Sequence, residues 1–166
     1  MSVLLALVLA SAPIVAQPGG LPAPTVAPIP AGKVTLRNMA SVVAALQKEG
    51  YRAKLVTEDK KVHIESASNG AKFYIYPENC GDKGECKDLM IRASYNKLKD
   101  KPITVAEIND FNRESRWVRG YLDKEGDPIV EMDILFTDQQ IDEAMFIEAI
   151  QVWQKMMGQF HTAIRF

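Results

Sequence analysis

Between Arg52 and Tyr95 four short segments alternate apolar and polar residues with a period of two, and turn-forming residues separate them. The segments run Arg52 to Thr57, Lys61 to Ala67, Ala71 to Pro77 and Asp88 to Tyr95. Glu58-Asp59-Lys60 and Ser68-Asn69-Gly70 lie between them, the second carrying Asn-Gly, a strong hairpin signal. Leu55, Val62 with Ile64, Phe73 with Ile75, and Leu89 with Ile91 and Ala93 share one parity, whereas Lys54, Glu65, Lys72 and Arg92 share the other. The pattern predicts four antiparallel strands in sequence, one face buried and one face wet.

Helical spacing brackets this meander. Met39, Val42, Val43 and Leu46 predict a helix from about Asn38 to Glu49, with Asn38 able to cap it and Gly50 able to end it in the left-handed conformation. Thr104 and Glu107 form a capping box for a second helix, Thr104 to Arg113, whose apolar side is Val105, Ile108 and Phe111. Arg116 to Leu122 and Pro128 to Phe136 then alternate around Asp123 to Asp127, a further hairpin. Thr137 and Gln140 read as another capping box, followed by a long helix whose stripe includes Ile141, Met145, Phe146, Ile150, Trp153, Met157 and Phe160. The order α-ββββ-α-ββ-α predicts the α+β class, an antiparallel sheet with helices packed on it.

The first part of the chain obeys different rules. Met1 to Gly32 contains no charged side chain. Val3 to Val15 is nearly all apolar, about 13 residues where a spanning helix needs about 20, which suits the core of a signal peptide. Ala16 offers a small residue for cleavage before Gln17. Residues 1–16 are therefore expected to be a signal peptide, the alternative being an uncleaved hydrophobic anchor or a buried N-terminal helix, and after cleavage no transmembrane span is expected. The basic residues that usually precede the apolar run are missing, and lipid anchoring is excluded because no cysteine stands at the cleavage point. Residues 17–33, with Pro18, Pro22, Pro24, Pro28 and Pro30, form a semi-extended linker. The folded domain is expected over 34–166, in the periplasm or outside the cell.

Charge narrows the partners. Of 166 residues 20 are Lys or Arg and 21 Asp or Glu, so the net charge of −1 creates no field that would gather nucleic acid. Cys80 and Cys86, the only cysteines, sit in a loop between two strands and are expected to bond to each other in an oxidising compartment. They are spaced wrongly for a redox pair and lack the further ligands a metal needs. Asn109, Asn112, Arg113 and Arg116 would gather on one side of the second helix if it continued that far, which invites an anion-binding reading. Amides in that phase also serve to satisfy backbone groups of neighbouring strands. Trp117, Arg119 and Tyr121 share a strand face, with Glu131 and Asp133 opposite, giving cross-strand charge pairs or the lining of a binding groove. His63, between Val62 and Ile64, reads as a surface residue. No Ser-His-Asp set, phosphate-binding glycine loop or spaced carboxylate pair is present, and no cofactor or metal is expected.

Gly50-Tyr51 after the first helix, the cysteine pair, the run Ile108-Asn109-Asp110-Phe111-Asn112, Arg113 and Arg116, and Trp153 in the last helix together resemble the YbjN family from Val34 onward. Its members are described as bacterial sensory transduction regulators, and the resemblance implies a fold like that of type III secretion chaperones, which dimerise and hold extended partner segments. It supplies no catalytic residues. A cytoplasmic secretion-chaperone role fits poorly with an export signal and without those chaperones' strongly acidic charge. The reading that follows is a non-catalytic binding or regulatory module holding a protein or peptide. The alternative is an enzyme or small-anion-binding protein using Arg113, Arg116 and Asp110, and a third possibility is a structural envelope protein. The wide stripe of the last helix implies surplus apolar surface that a second copy or a peptide would cover, making a homodimer expected.

Overall fold

The computed structural model describes residues 31–166. The expected signal peptide and all but the end of the linker lie outside the described residues. Eight strands and three helices follow in the order β1 (Lys33–Thr35), α1 (Ala40–Lys48), β2 (Lys54–Glu58), β3 (Lys61–Ser68), β4 (Ala71–Glu78), β5 (Asp88–Ser94), α2 (Val105–Glu114), β6 (Arg119–Leu122), β7 (Pro128–Leu135), β8 (Gln140–Asp142) and α3 (Glu143–Ile164). The chain is α+β. Six strands make one antiparallel sheet in the order β2-β3-β4-β5-β7-β6, and β1 pairs with β8 in a separate ribbon.

The meander forms as its alternation dictates. Phe73, Ile75, Leu89, Ile91 and Ala93 are fully buried on the inner face, where α3 lays Phe146, Ile150, Trp153, Met157 and Phe160 against them. Each of the larger side chains among these contributes about 1.5–3 kcal/mol through burial. Phe73 meets Trp153 edge-on at 5.9 Å between ring centroids, and Phe111 of α2 meets Phe160 of α3 at 4.9 Å. The stripe of α3 is thus absorbed within one chain, contrary to the expectation of surplus: Met145 is its large apolar residue left exposed.

Three local expectations fail. Thr137 and Gln140 do not cap α3. Asp138 and Gln139 both take positive φ (50° and 61°) in a tight turn closed by Gln140 N–H on the Thr137 carbonyl, and Gln140 enters β8. The competing force is β1: Lys33, the last residue assigned to the linker, already pairs with Asp142, and their side chains bond at 2.7 Å. In α1 the cap position falls on Met39, while the Asn38 side chain accepts from the Ala40 N–H one residue early. Val105, expected on the apolar side of α2, is exposed in the first turn, and Ile108 and Phe111 are the residues of the helix that are buried. Gly50 does end α1 with φ +86°, and the Thr104–Glu107 capping box is complete.

The two long edges of the sheet are finished differently. At β6 the Asn112 side chain of α2 accepts from the Gly120 N–H at 2.8 Å and donates to the Gly120 carbonyl at 2.9 Å, occupying both backbone groups as a neighbouring strand would. Gly120 has to be glycine there, since a Cβ would stand 3.0 Å from the rings of Phe111 and Phe160. At β2 no such cover exists among the described residues.

Candidate binding face

The polar parity of the meander makes the other face of the sheet, which the described helices leave open. One row of directly opposed residues crosses all six strands: Lys54, Glu65, Tyr74, Arg92, Glu131 and Arg119. Charge alternates along much of it, as cross-strand pairing favours. Lys54 and Glu65 are 2.6 Å apart. Beside this row, Val56 opposes His63, Tyr76 opposes Met90, and Met90 opposes Asp133.

Glu131 is the anchor of the face. Its side chain is 2% exposed and accepts from Arg92 Nε at 2.6 Å, from Tyr121 Oη at 2.8 Å, and from Arg119 Nη2. Burial works to raise its pKa, but the donated bonds from Arg119, Tyr121 and Arg92 outweigh it and hold the carboxyl below the usual range. With its oxygens occupied by three donors, Glu131 is a poor proton acceptor and a good fixture for the groups around it. Burial, then the bond to Glu131, pushes the Tyr121 phenol up. Asp133 next to it is held above its ordinary value by burial and by the negative charge of Asp88.

Aromatic rings stand among these charges. His63 stacks on Tyr76 with centroids 5.5 Å apart, Tyr74 stacks on Tyr76 at 6.3 Å, and the Arg92 guanidinium sits 6.0 Å from the Tyr76 ring. His63 is therefore covered by its neighbours and buried, contrary to the surface position expected for it. Arg119 lies 5.5 Å from the Tyr121 ring.

The residues singled out in the sequence do not form one cluster. Asn112 clamps β6, whereas Asn109 is exposed. Arg113 pairs with Asp110 at 2.9 Å on the surface of α2. The helix ends at Glu114, so Arg116 does not join that side; it packs over the Trp117 ring at 5.4 Å. Trp117 precedes β6 and is 60% exposed. Arg119 and Tyr121 do share the open face and both reach Glu131, so the cross-strand pairing expected there is present. Cys80 and Cys86 are bonded. The Asn79 side chain next to them donates twice to the buried Asp88 carboxylate, at 2.9 and 3.0 Å, fixing the start of β5.

Two clefts elsewhere on the described surface are shallow and open. One of about 550 Å³ is lined by Glu107, Asp110, Phe111 and Gln159, and another of about 430 Å³ by Tyr51, Arg52, Ile147 and Gln154. No group of three or more His, Cys, Asp or Glu side chains is arranged to hold a metal ion among the described residues. None of the described helices is long and apolar enough to cross a membrane.

Residues 38–166 match the YbjN family model, described as "Putative bacterial sensory transduction regulator". The chain belongs to the YbjN family. The YbjN match opens just ahead of α1, so it includes β8 but not its partner β1. No curated protein matches the chain. Among solved structures, the Yersinia pestis type III secretion chaperone SycH, in complex with a stable fragment of YscM2, is similar with a TM-score of 0.46. The identity is 13%, over 70% of this chain and 93% of that one.

Proposed function

We propose that this YbjN-family chain is a non-catalytic binding module of the bacterial cell envelope that holds a protein or peptide partner on its open sheet face. The observation that carries the reading is the row of fixed side chains around Glu131: Arg92, Arg119 and Tyr121 are immobilised in place, and Tyr74 and Tyr76 offer flat apolar surface between them. Aromatic and arginine side chains on a rigid support are what dominate binding energy at protein interfaces. Membership of a regulator family is in keeping with it. Export is supported by the charge-free, apolar first segment and by the cysteine pair, which persists as a disulfide in oxidising compartments.

The test is capture of partners from an envelope extract by the exported protein and by a Tyr76→Ser/Arg119→Ala variant shown to be folded. A partner identified by mass should be held by the first and lost from the second. Equal capture by both would remove the open face from the reading. Retention of Met1 in the exported protein would remove the cleaved signal.

A further inference from the structure

The open edge of the sheet, β2, has a residue pattern that is complementary to itself. None of its backbone groups bonds anything except β3 among the described residues, and Leu55 is 46% exposed although it belongs to the inner parity. The strand reads Lys54-Leu55-Val56-Thr57-Glu58. We propose that β2 is the contact through which two copies of this chain pair, antiparallel about a two-fold axis at Val56.

The register follows from geometry. In an antiparallel ladder alternate residues point their N–H and C=O to opposite sides, so only residues of the same parity can face each other across a new edge. A two-fold axis at Val56 satisfies this rule and keeps all five residues paired. It sets Val56 against Val56 of the second copy, Leu55 against Thr57, and Lys54 against Glu58. Opposite charges then meet at both ends, and the exposed Leu55 gains cover. Shifting the axis by one residue keeps the parity but shortens the overlap and takes both Lys54 and Glu58 of each copy out of their charge pairs. The other edge cannot substitute, because Asn112 already occupies Gly120. Isologous contacts of this kind close on themselves. The axis stands perpendicular to the sheet, so the two open faces become one continuous surface. The pairing does not depend on what that surface binds.

The test measures association of the full chain by sedimentation equilibrium from about 1 µM to about 1 mM, the range of small interfaces. The wild type should dimerise reversibly. Glu58→Lys places Lys against Lys at both ends and should weaken association about tenfold or more, while Lys54→Glu/Glu58→Lys should restore it to within about threefold. Val56→Lys, which sets like charges on the axis, is the second variant should the swap disturb the Lys54–Glu65 pair; it should also dissociate the dimer. A monomer at every concentration overturns the proposal, as does a dimer indifferent to Glu58→Lys or a swap that recovers nothing. Hydrogen-exchange protection of the Leu55 and Thr57 amides in a monomer would assign the edge to another segment of the same chain and overturn it too.

Discussion

Replacing Glu131 with Gln keeps the shape of the side chain and removes the charge on which three donors converge. The loss can be worked out donor by donor. The Tyr121 hydroxyl gives up a bond to a charged acceptor, about 1 kcal/mol net. Arg92, with 36% of its side chain exposed, is partly rehydrated and loses about 1 kcal/mol. Arg119, 70% exposed, regains water almost fully and loses little. The sum is about 2 kcal/mol, a fall in melting temperature of about 7 °C for a domain of this size. Because the carboxyl is held below its ordinary value in the folded state, its contribution is fully present above the unfolded value, about 4.3, and is lost as pH falls through the folded one. The gap between wild type and Glu131→Gln should therefore be widest near neutrality and shrink below about pH 4. Asp133 titrates in both proteins and largely cancels. Urea unfolding at a series of pH values measures the gap; a difference under about 0.5 kcal/mol at neutral pH, or one that does not change with pH, would refute the account.

Asn112→Ala leaves the Gly120 N–H and carbonyl without partners under α2 and should destabilise the domain by about 1–3 kcal/mol in urea, whereas Asn109→Ala, on an exposed position, should change it by less than about 0.5 kcal/mol. Cys80→Ser/Cys86→Ser opens the small loop between β4 and β5 and should cost about 2 kcal/mol with the fold retained, as chemical unfolding of the oxidised and mutant proteins will show.

Local rules acting on local residues were readable in the sequence. Period-two alternation located β2 to β5, the Asn-Gly turn located one hairpin, and the Thr104–Glu107 box located the start of α2, since each depends on residues within a few positions. The β1–β8 ribbon was not readable, because its two strands are three residues each and more than a hundred positions apart. Neither carries a pattern of its own, and the Thr137–Gln140 spacing mimics a helix start that tertiary pairing overrides. The candidate face was legible only in halves. Arg119, Tyr121 and Glu131 were paired correctly from one hairpin, but Arg92 comes from β5, a strand that lies beside β7 only after the chain has passed through α2 and β6. The Tyr74–Tyr76 platform left a signal, aromatic residues on the polar parity of β4, that reads as ordinary alternation until the neighbouring strands are known. His63 was misplaced for the same reason: what buries it is the adjacent strand.

The Asn112 amide has a consequence for how many copies can associate. A flat sheet with two vacant sides polymerises, since each molecule added presents a fresh side to the next, and this is the route to fibres. Here one side is already taken by a side chain of the same molecule, so any strand added at β2 uses up the vacancy on both participants. Stoichiometry is then limited by a single carboxamide: growth ends at a pair, and the protein can be concentrated without propagating into filaments.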